Sequence, residues 1–282
     1  MLWEAGSYPL LKKFGLQMIL LRDLAKQRWQ FMLYAREQAD QRMQKEIEYQ
    51  KDFFFYLLRA KDPETGKGFE VQELWEEAAM LMVAGSDTTS TALAATTHYM
   101  VKNPQCLKEA TKEVRETFKQ MSEIVHGPML SNCTYLKSCI DEGLRLCPPV
   151  PGLLPRQITR DGTTIDGESL PSGTIVGVPC FAIHRDETYY PSPNEFRPSR
   201  WTGGSESQRE LAKSAYAPFS VGPRGCIGKS LALMESRIAM ARILWQYDLK
   251  ATEQLRESYD IEDHFTAQKT GPNIEFVSRG SV

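Results

Sequence analysis

The chain has 282 residues, a formal net charge of −2, 41% hydrophobic residues and 25% charged residues. This composition is typical of a folded globular protein with a substantial core, and the near-neutral charge gives no reason to expect a nucleic-acid partner. No run of about 18 apolar residues occurs and no basic-then-apolar leader follows Met1, so we expect neither a membrane span nor a signal peptide. Any membrane contact of this chain would be peripheral. The six cysteines form no CxxC pair, which indicates free thiols in a reducing compartment.

The first part of the chain is rich in Leu, Met, Gln, Lys and Glu. Over residues 10–59 this composition predicts two or three helices. Leucine and isoleucine residues spaced along one face would pack in the core; they are Leu16, Ile19, Leu20 and Leu24. The alternative is a helix that touches a membrane surface. The turn-rich stretch 61–68 predicts a linker.

A strong helical pattern over residues 71–101 predicts a helix about 45 Å long. Its middle, 84–89, reads Ala-Gly-Ser-Asp-Thr-Thr, and these hydroxyls compete for the backbone carbonyls one turn back. We therefore expect a local opening of the helix. Thr88 and Thr89 could simply bond back to the helix, or the cluster could form a polar notch for water or a diatomic ligand; the sequence leaves both open.

Two further helices are predicted after Pro104. The first covers 105–121 and has a solvated charged face, and the second covers 135–146. Glu142 and Arg145 lie three residues apart on one face of the second helix, where they can form an ion pair. Short apolar pieces between 151 and 179 predict β-hairpins, and residues 191–201 are irregular and rich in proline.

One cysteine, Cys226, lies in a loop framed by Gly222, Pro223, Gly225 and Gly228. Because glycine has no Cβ, such a loop can bring its backbone close to a flat ligand. The helix predicted behind this loop would favour a thiolate at its N-terminus. Its apolar spacing predicts one buried face, made of Ile227, Leu231, Met234, Ile238, Ala241 and Trp245. The tail 265–276 is typical of a strand pair.

Four separate motifs together resemble the C-terminal part of a cytochrome P450, a haem-thiolate monooxygenase. They are the loop FxxGxRxCxG at 219–228, the AGxDTT of 84–89, the ExxR of Glu142 and Arg145, and the FxPxRW ending at Trp201. The tail is most similar to fungal members. Relatives are generally about 500 residues long, so the resemblance implies a chain that begins near their middle.

This resemblance implies a mainly α fold with small β-sheets (α+β), a cytochrome P450 fold truncated at its N-terminus. We expect one incomplete domain over 1–282. Its parts are helices within 1–60, the long distal helix 71–101, the ExxR helix 135–146, the hairpins and proline-rich segment 151–201, the haem-thiolate loop with its helix 219–247, and C-terminal strands within 248–282.

The resemblance also implies site roles. Cys226 would be the axial ligand of the iron of haem b, and Arg224 and Arg156 would pair with the haem propionates. Asp87 and Thr88 would relay protons to bound dioxygen as the catalytic pair. The other cofactor-binding positions that it implies are Phe219, Gly222, Gly228 and Gly85.

Three further sets of residues complete the expectations. Glu142, Arg145 and Arg200 would form a buried structural triad. Candidate substrate contacts, which could equally be core, are Leu81, Met82, Val83, Ala84 and residues 152–154. His184 is given no catalytic role, because the axial position is already taken.

Two functions of different class follow. The first is a monooxygenase that inserts one oxygen atom of dioxygen into a small apolar organic substrate, in secondary metabolism, using NADPH through NADPH–cytochrome P450 reductase. The second is a catalytically inactive remnant, or a haem-binding or interaction module. A peroxide isomerase or dehydratase is a narrower option, against which the Asp87–Thr88 pair argues. Full-length relatives would lie on the cytoplasmic side of the endoplasmic reticulum, whereas this chain, without an anchor, would be cytoplasmic or of unknown location.

Overall fold

The computed structural model describes residues 22–45, 50–159 and 161–280. The chain consists of two compact units, and the boundary between them lies between Ser86 and Asp87. Of the apolar face expected of Leu16, Ile19, Leu20 and Leu24, the first three residues lie outside the described residues, and Leu24 lies in the first described helix. The helices and strands confirm the predicted fold class, a mainly α protein with small β-sheets.

The first unit contains α1 (Arg22–Gln44), α2 (Phe53–Arg59) and the first part of α3 (Val71–Lys102). Asp52 caps α2 by accepting a hydrogen bond from the Phe55 amide at 2.9 Å, and it also pairs with Arg42 Nε at 2.7 Å. Trp75 Nε1 of α3 donates to Asp40 Oδ1 of α1 at 2.7 Å. Asp40 and Arg42 of α1 therefore bond to residues outside this helix, and the pattern of polar residues along the sequence does not predict these contacts.

Helix α3 is continuous through residues 84–89, so the expected local opening is wrong. Ser86 Oγ donates to the Met82 carbonyl at 2.7 Å, and Thr91 Oγ1 donates to the Asp87 carbonyl at 2.9 Å. A carbonyl oxygen has two lone pairs and can accept a hydroxyl in addition to the helical amide. The hydroxyls therefore add bonds to this helix instead of replacing its own.

The second unit is built around α4 (Pro104–Thr117), α6 (Thr134–Leu146) and α9 (Lys229–Gln246). Between them lie α5 (Pro128–Ser131), α7 (Cys180–Ile183) and α8 (Glu206–Ser214). The three long helices bury a common apolar core, whose most central side chains are Val114, Leu136, Ile140, Met240 and Leu244.

The predicted buried face of α9 is partly wrong. Ile227 precedes the helix and is 91% exposed, whereas Met240 and Leu244, which the spacing did not select, are fully buried. Leu231 and Met234 are half-buried. Apolar residues surround most of this helix, so a spacing rule finds several faces in it and cannot choose among them.

Within the described residues the strands form four antiparallel pairs. The predicted hairpins within 151–179 are confirmed: β2 (Thr163–Ile165) pairs with β3 (Glu168–Leu170), and β1 (Arg156–Gln157) pairs with β4 (Ile175–Val176). The tail differs from the single strand pair expected within 265–276. There, β7 (Thr266–Lys269) pairs with β6 (Ile261–His264), and β8 (Ile274–Ser278) pairs with β5 (Tyr247–Ala251).

Candidate functional site

The cysteine loop, residues 219–228, closes on itself through backbone hydrogen bonds. The Cys226 amide donates to the Phe219 carbonyl at 2.8 Å, and the Gly225 amide donates to the Gly222 carbonyl at 2.9 Å. Gly222 has φ +71°, a conformation that other residues rarely adopt. Phe219 is half-buried against the helical core, which ties the loop to the scaffold. The loop is thus a fixed turn directly before α9.

Cys226 is the one exposed cysteine of the six, all of which are free. Burial raises the pKa of Cys147 to about 12 and also raises the pKa of Cys133, Cys139 and Cys180. A thiol that stays protonated is a poor metal ligand, since the thiolate is the form that binds. Cys226 lies three residues before Lys229, the first residue of the 18-residue α9, where the helix dipole favours negative charge.

Gly228 is the N-cap of α9 and lies beside the sulfur. A Cβ placed on it would come within 3.8 Å of Cys226 Sγ. The glycine therefore leaves one side of the sulfur free of side-chain atoms.

Arg156 and Arg224 are both exposed. Arg156 Nη1 donates to the Pro155 carbonyl at 2.9 Å, and neither arginine is paired with a carboxylate within the described ranges. Each guanidinium can therefore donate two hydrogen bonds to a carboxylate of a bound group. One exposed thiol and two such arginines are the donor set that a haem with its two propionates requires, so the residues present fit that cofactor.

The central stretch of α3 leaves apolar surface open on the first unit. Met80 and Val83 are 53% and 45% exposed, and a Cβ on Gly85 would meet no atom within 4 Å. Among the candidate substrate contacts, Leu81 and Met82 are half-buried and Ala84 is exposed. These positions are therefore not core residues of the unit to which they belong, and an apolar ligand could cover them.

Asp87 and Thr88 are half-buried at the start of the second unit. The Asp87 carboxylate lies 3.8 Å from the Nζ of Lys269, on strand β7. The other candidate substrate segment is held near the same hairpin: Gly152 packs against the Asp263 carboxylate of β6. The structure therefore brings three segments of the second unit together, the Asp87 turn of α3, residues 149–152 and the β6–β7 hairpin.

Glu142 and Arg145 of α6 form a buried ion cluster with Arg200. Both oxygens of Glu142 accept from Arg145, at 2.9 and 3.0 Å, and Oε1 also accepts from Arg200 Nε at 3.2 Å. Trp201 Nε1 donates to Oε2 at 3.0 Å and the Arg197 amide donates to Oε1 at 3.1 Å. Glu142 and Arg145 have no exposed side-chain surface. Burial lowers the pKa of Arg200, and the Glu142 carboxylate raises it.

Arg145 uses its whole guanidinium in this cluster. Besides its two bonds to Glu142, Nη1 donates to the carbonyls of His184 and Pro193, at 2.6 and 2.7 Å, and Nη2 donates to the Glu195 carbonyl at 3.2 Å. A guanidinium has five N–H groups, and all five are satisfied. Arg145 of α6 thus binds the irregular, proline-rich segment through the backbone carbonyls of that segment.

The sequence did not predict the contacts that Trp201, His184 and Lys269 make. Trp201 was recognised only as the last residue of a motif. Its bond to Glu142 was not expected, although the neighbouring Arg200 was expected to contact Glu142. His184 is fully buried, and its Nδ1 bonds the Arg145 carbonyl at 3.2 Å while its Nε2 accepts from the Ala217 amide at 3.0 Å. Burial lowers the pKa of His184 to about 4. Nothing in the sequence marked Lys269.

No set of three or more His, Cys, Asp or Glu side chains in the described ranges could hold a metal ion by itself. In the same ranges, no helix has the length and the apolar character needed to cross a membrane.

A family model for Cytochrome P450 matches residues 7–276. Over 264 residues the chain is 38% identical to the cytochrome P450 monooxygenase lcsN of Purpureocillium lilacinum, covering 89% of this chain and 79% of that protein. It is 43% identical over 239 residues to the cytochrome P450 monooxygenase atnE of Emericella nidulans, covering 81% of this chain and 46% of that protein. Among solved structures, a crystal structure of the cytochrome P450 CYP102L1 is similar with a TM-score of 0.77 and 27% identity, over 90% of this chain and 57% of that one. The chain therefore spans about half the length of several of its relatives.

Proposed function

The chain belongs to the cytochrome P450 family, as its motifs predicted, and we propose that it carries the thiolate ligand and the proton-delivering helix of a haem-thiolate monooxygenase. Membership of this family implies a haem cofactor and electrons supplied by a reductase. The observation that carries the proposal is the position of Cys226. It is the exposed thiol among six cysteines, and it lies in a closed glycine-framed loop at the start of α9.

In this proposal the Cys226 thiolate binds the iron of haem b. When bound, a thiolate-ligated haem supplies the activation of dioxygen, because the thiolate donates electron density that favours O–O cleavage. The α9 N-terminus stabilises the negative charge on the sulfur. Phe219 holds the loop against the core, and Gly222 and Gly228 let the backbone pass close to the bound group without a side chain in the way.

Arg156 and Arg224 orient the cofactor in the same proposal. Each has a guanidinium that is not paired with a carboxylate of the described chain, and each can hold one propionate. Gly85 leaves open space over α3. The exposed apolar positions beside it suit an apolar ligand.

Asp87 and Thr88 take the role of proton delivery. Asp87 offers a half-buried carboxylate that can hold and release a proton, and Thr88 offers a hydroxyl that can donate one. The overall reaction takes a C–H bond of the substrate, dioxygen, two electrons and two protons, and yields an alcohol and water. These two residues supply the proton path on the protein side.

The substrate class that we propose is a small apolar organic molecule. Exposed Met80 and Val83 support this class, because the surface they leave open is apolar. We propose NADPH as the electron source, through NADPH–cytochrome P450 reductase, which would act on the cytoplasmic side of the endoplasmic reticulum, where full-length relatives are expected to lie. The fungal relatives are named monooxygenases, and the resemblance to fungal members is the reason for which we propose a role in secondary metabolism.

The test is a spectrum of the 282-residue chain expressed with a haem supply. After reduction and addition of carbon monoxide, we expect the red-shifted Soret band of a thiolate-ligated ferrous haem. Cys226→Ser should abolish this band, whereas Cys106→Ser, at a half-buried cysteine outside the loop, should keep it. A chain that shows no band with any variant contradicts the proposal for this chain and supports the inactive-remnant alternative.

A further inference from the structure

Lys269 makes a local network around Asp87 that the functional motifs do not account for. Its Nζ lies 2.9 Å from Thr91 Oγ1, 3.1 Å from Ser90 Oγ and 3.8 Å from Asp87 Oδ1. The first two contacts are hydrogen bonds from the ammonium group to hydroxyl oxygens, and the third is a longer ion pair. Lys269 therefore has its hydrogen-bonding partners on one turn of α3.

The two hydroxyls connect Lys269 back to the same aspartate. Ser90 Oγ donates to the Asp87 carbonyl at 3.0 Å, and Thr91 Oγ1 donates to it at 2.9 Å. Each hydroxyl thus accepts from the ammonium and donates to the Asp87 backbone. Asp87 is held at both ends, at its carbonyl by hydroxyls and at its carboxylate by a positive charge.

The backbone that presents Lys269 is itself fixed. Lys269 pairs with Ile261 in the β6–β7 hairpin, and the amide of Ala267, a residue only 1% exposed, donates to the Pro149 carbonyl at 2.8 Å. The Lys269 side chain is 21% exposed and that of Asp87 is 39% exposed. Solvent screens such a pair less than it screens a fully exposed one.

We propose that Lys269 is a positioning residue for Asp87, which fixes the direction of its carboxylate on α3. This inference rests on the proposed function, in which Asp87 delivers protons. Without Lys269, the carboxylate would lose its cationic partner and would turn toward solvent. Proton delivery by Asp87 would then be slower, and a larger share of the dioxygen consumed would not reach the substrate. Dioxygen with two electrons and two protons would leave as hydrogen peroxide, and the substrate would leave unchanged.

The first readout needs neither haem nor turnover. In the full chain labelled with ¹³C at aspartate carboxyl carbons, the Asp87 signal is assigned by its loss in Asp87→Asn. We expect Lys269→Met to shift this signal, Lys269→Arg to shift it less because the charge remains, and Lys250→Met to leave it in place. Lys250 is an exposed lysine of β5 and serves as the matched control. An Asp87 signal that does not move in Lys269→Met overturns the proposal.

The second readout uses the haem-loaded chain with a reductase and a substrate that it oxidises. We expect Lys269→Met to raise the ratio of hydrogen peroxide to product by up to about fivefold, the size expected for the loss of one partly exposed ion pair. Lys269→Arg should restore much of the coupling, and Lys250→Met should leave it unchanged. Because Lys269 acts through Asp87, adding Lys269→Met to Asp87→Asn should raise the ratio no further. Independent, multiplying effects would overturn the positioning role. A chain without the thiolate band refutes the proposed function alone, and the carboxylate signal then decides the position of Asp87.

Discussion

Arg145→Lys tests whether the buried cluster stabilises the fold. This substitution keeps the positive charge of Arg145 and removes the forked guanidinium group. Arg145 donates five hydrogen bonds, two to Glu142 and three to the carbonyls of His184, Pro193 and Glu195. A lysine has only three protons on one nitrogen. At least two of these bonds are therefore lost in a site from which water is excluded.

The magnitude follows from the acceptors left behind. Each buried acceptor without a donor costs about 1–3 kcal/mol, so two of them cost about 2–6 kcal/mol. Whole domains are stable by about 5–15 kcal/mol. We therefore expect Arg145→Lys to remove a large share of the free energy of unfolding although the net charge is unchanged. We also expect it to reduce haem incorporation instead of slowing turnover, because the cluster does not touch the proposed reacting atoms.

The assay is urea unfolding followed by circular dichroism, with the midpoint and slope compared between variants. The matched control is Arg256→Lys, in an exposed pair with Asp260 at 3.8 Å, which should change the free energy of unfolding by less than about 0.5 kcal/mol. If the free energy of unfolding of Arg145→Lys is within about 1 kcal/mol of the parent value, the guanidinium fork does not stabilise the fold and the reasoning is refuted.

Two further predictions concern buried neighbours of this cluster. The pKa of His184 is about 4 in the folded chain and about 6.5 when unfolded, so unfolding takes up a proton as the pH falls. The free energy of unfolding should therefore drop by about 3 kcal/mol between pH 7 and pH 4, and His184→Gln should flatten this slope in urea titrations. A Cβ at Gly143 would collide with Thr96, so Gly143→Ala should cost about 1–3 kcal/mol in the same assay. Thr96→Ala should recover part of it, because Thr96 Oγ1 has no hydrogen-bond partner to lose.

Features encoded locally were predicted from the sequence. The predicted helix 71–101 is Val71–Lys102, and the predicted helix 135–146 is Thr134–Leu146. The hairpin of β2 and β3 follows from short apolar pieces separated by Asp166 and Gly167, both of which take positive φ in the turn. These elements depend on neighbours within a few residues, and a pattern over that range is enough to find them.

Features set by distant contacts were not predicted. Lys269 lies 178 residues from Thr91 in the sequence, and no local pattern connects the two. The face of α9 was misjudged because the apolar spacing fits several faces, and the choice among them is made by α4 and α6. The opening of α3 was wrongly expected, since a propensity measured for single residues is outweighed by a helix of 32 residues whose hydroxyls bond back to it.

The buried cluster and the cysteine loop are connected by hydrogen bonds through His184 and by the short backbone segment 217–219. The Arg145 carbonyl accepts from His184 Nδ1, and His184 Nε2 accepts from the Ala217 amide. Ala217 lies two residues before Phe219, whose carbonyl holds the Cys226 amide at 2.8 Å. Because this histidine must be neutral to accept at Nε2, its lowered pKa serves the connection as well as following from burial. We therefore expect the geometry of the cysteine loop to depend on the Glu142–Arg145 cluster, whose residues would act on the proposed haem site only through structure.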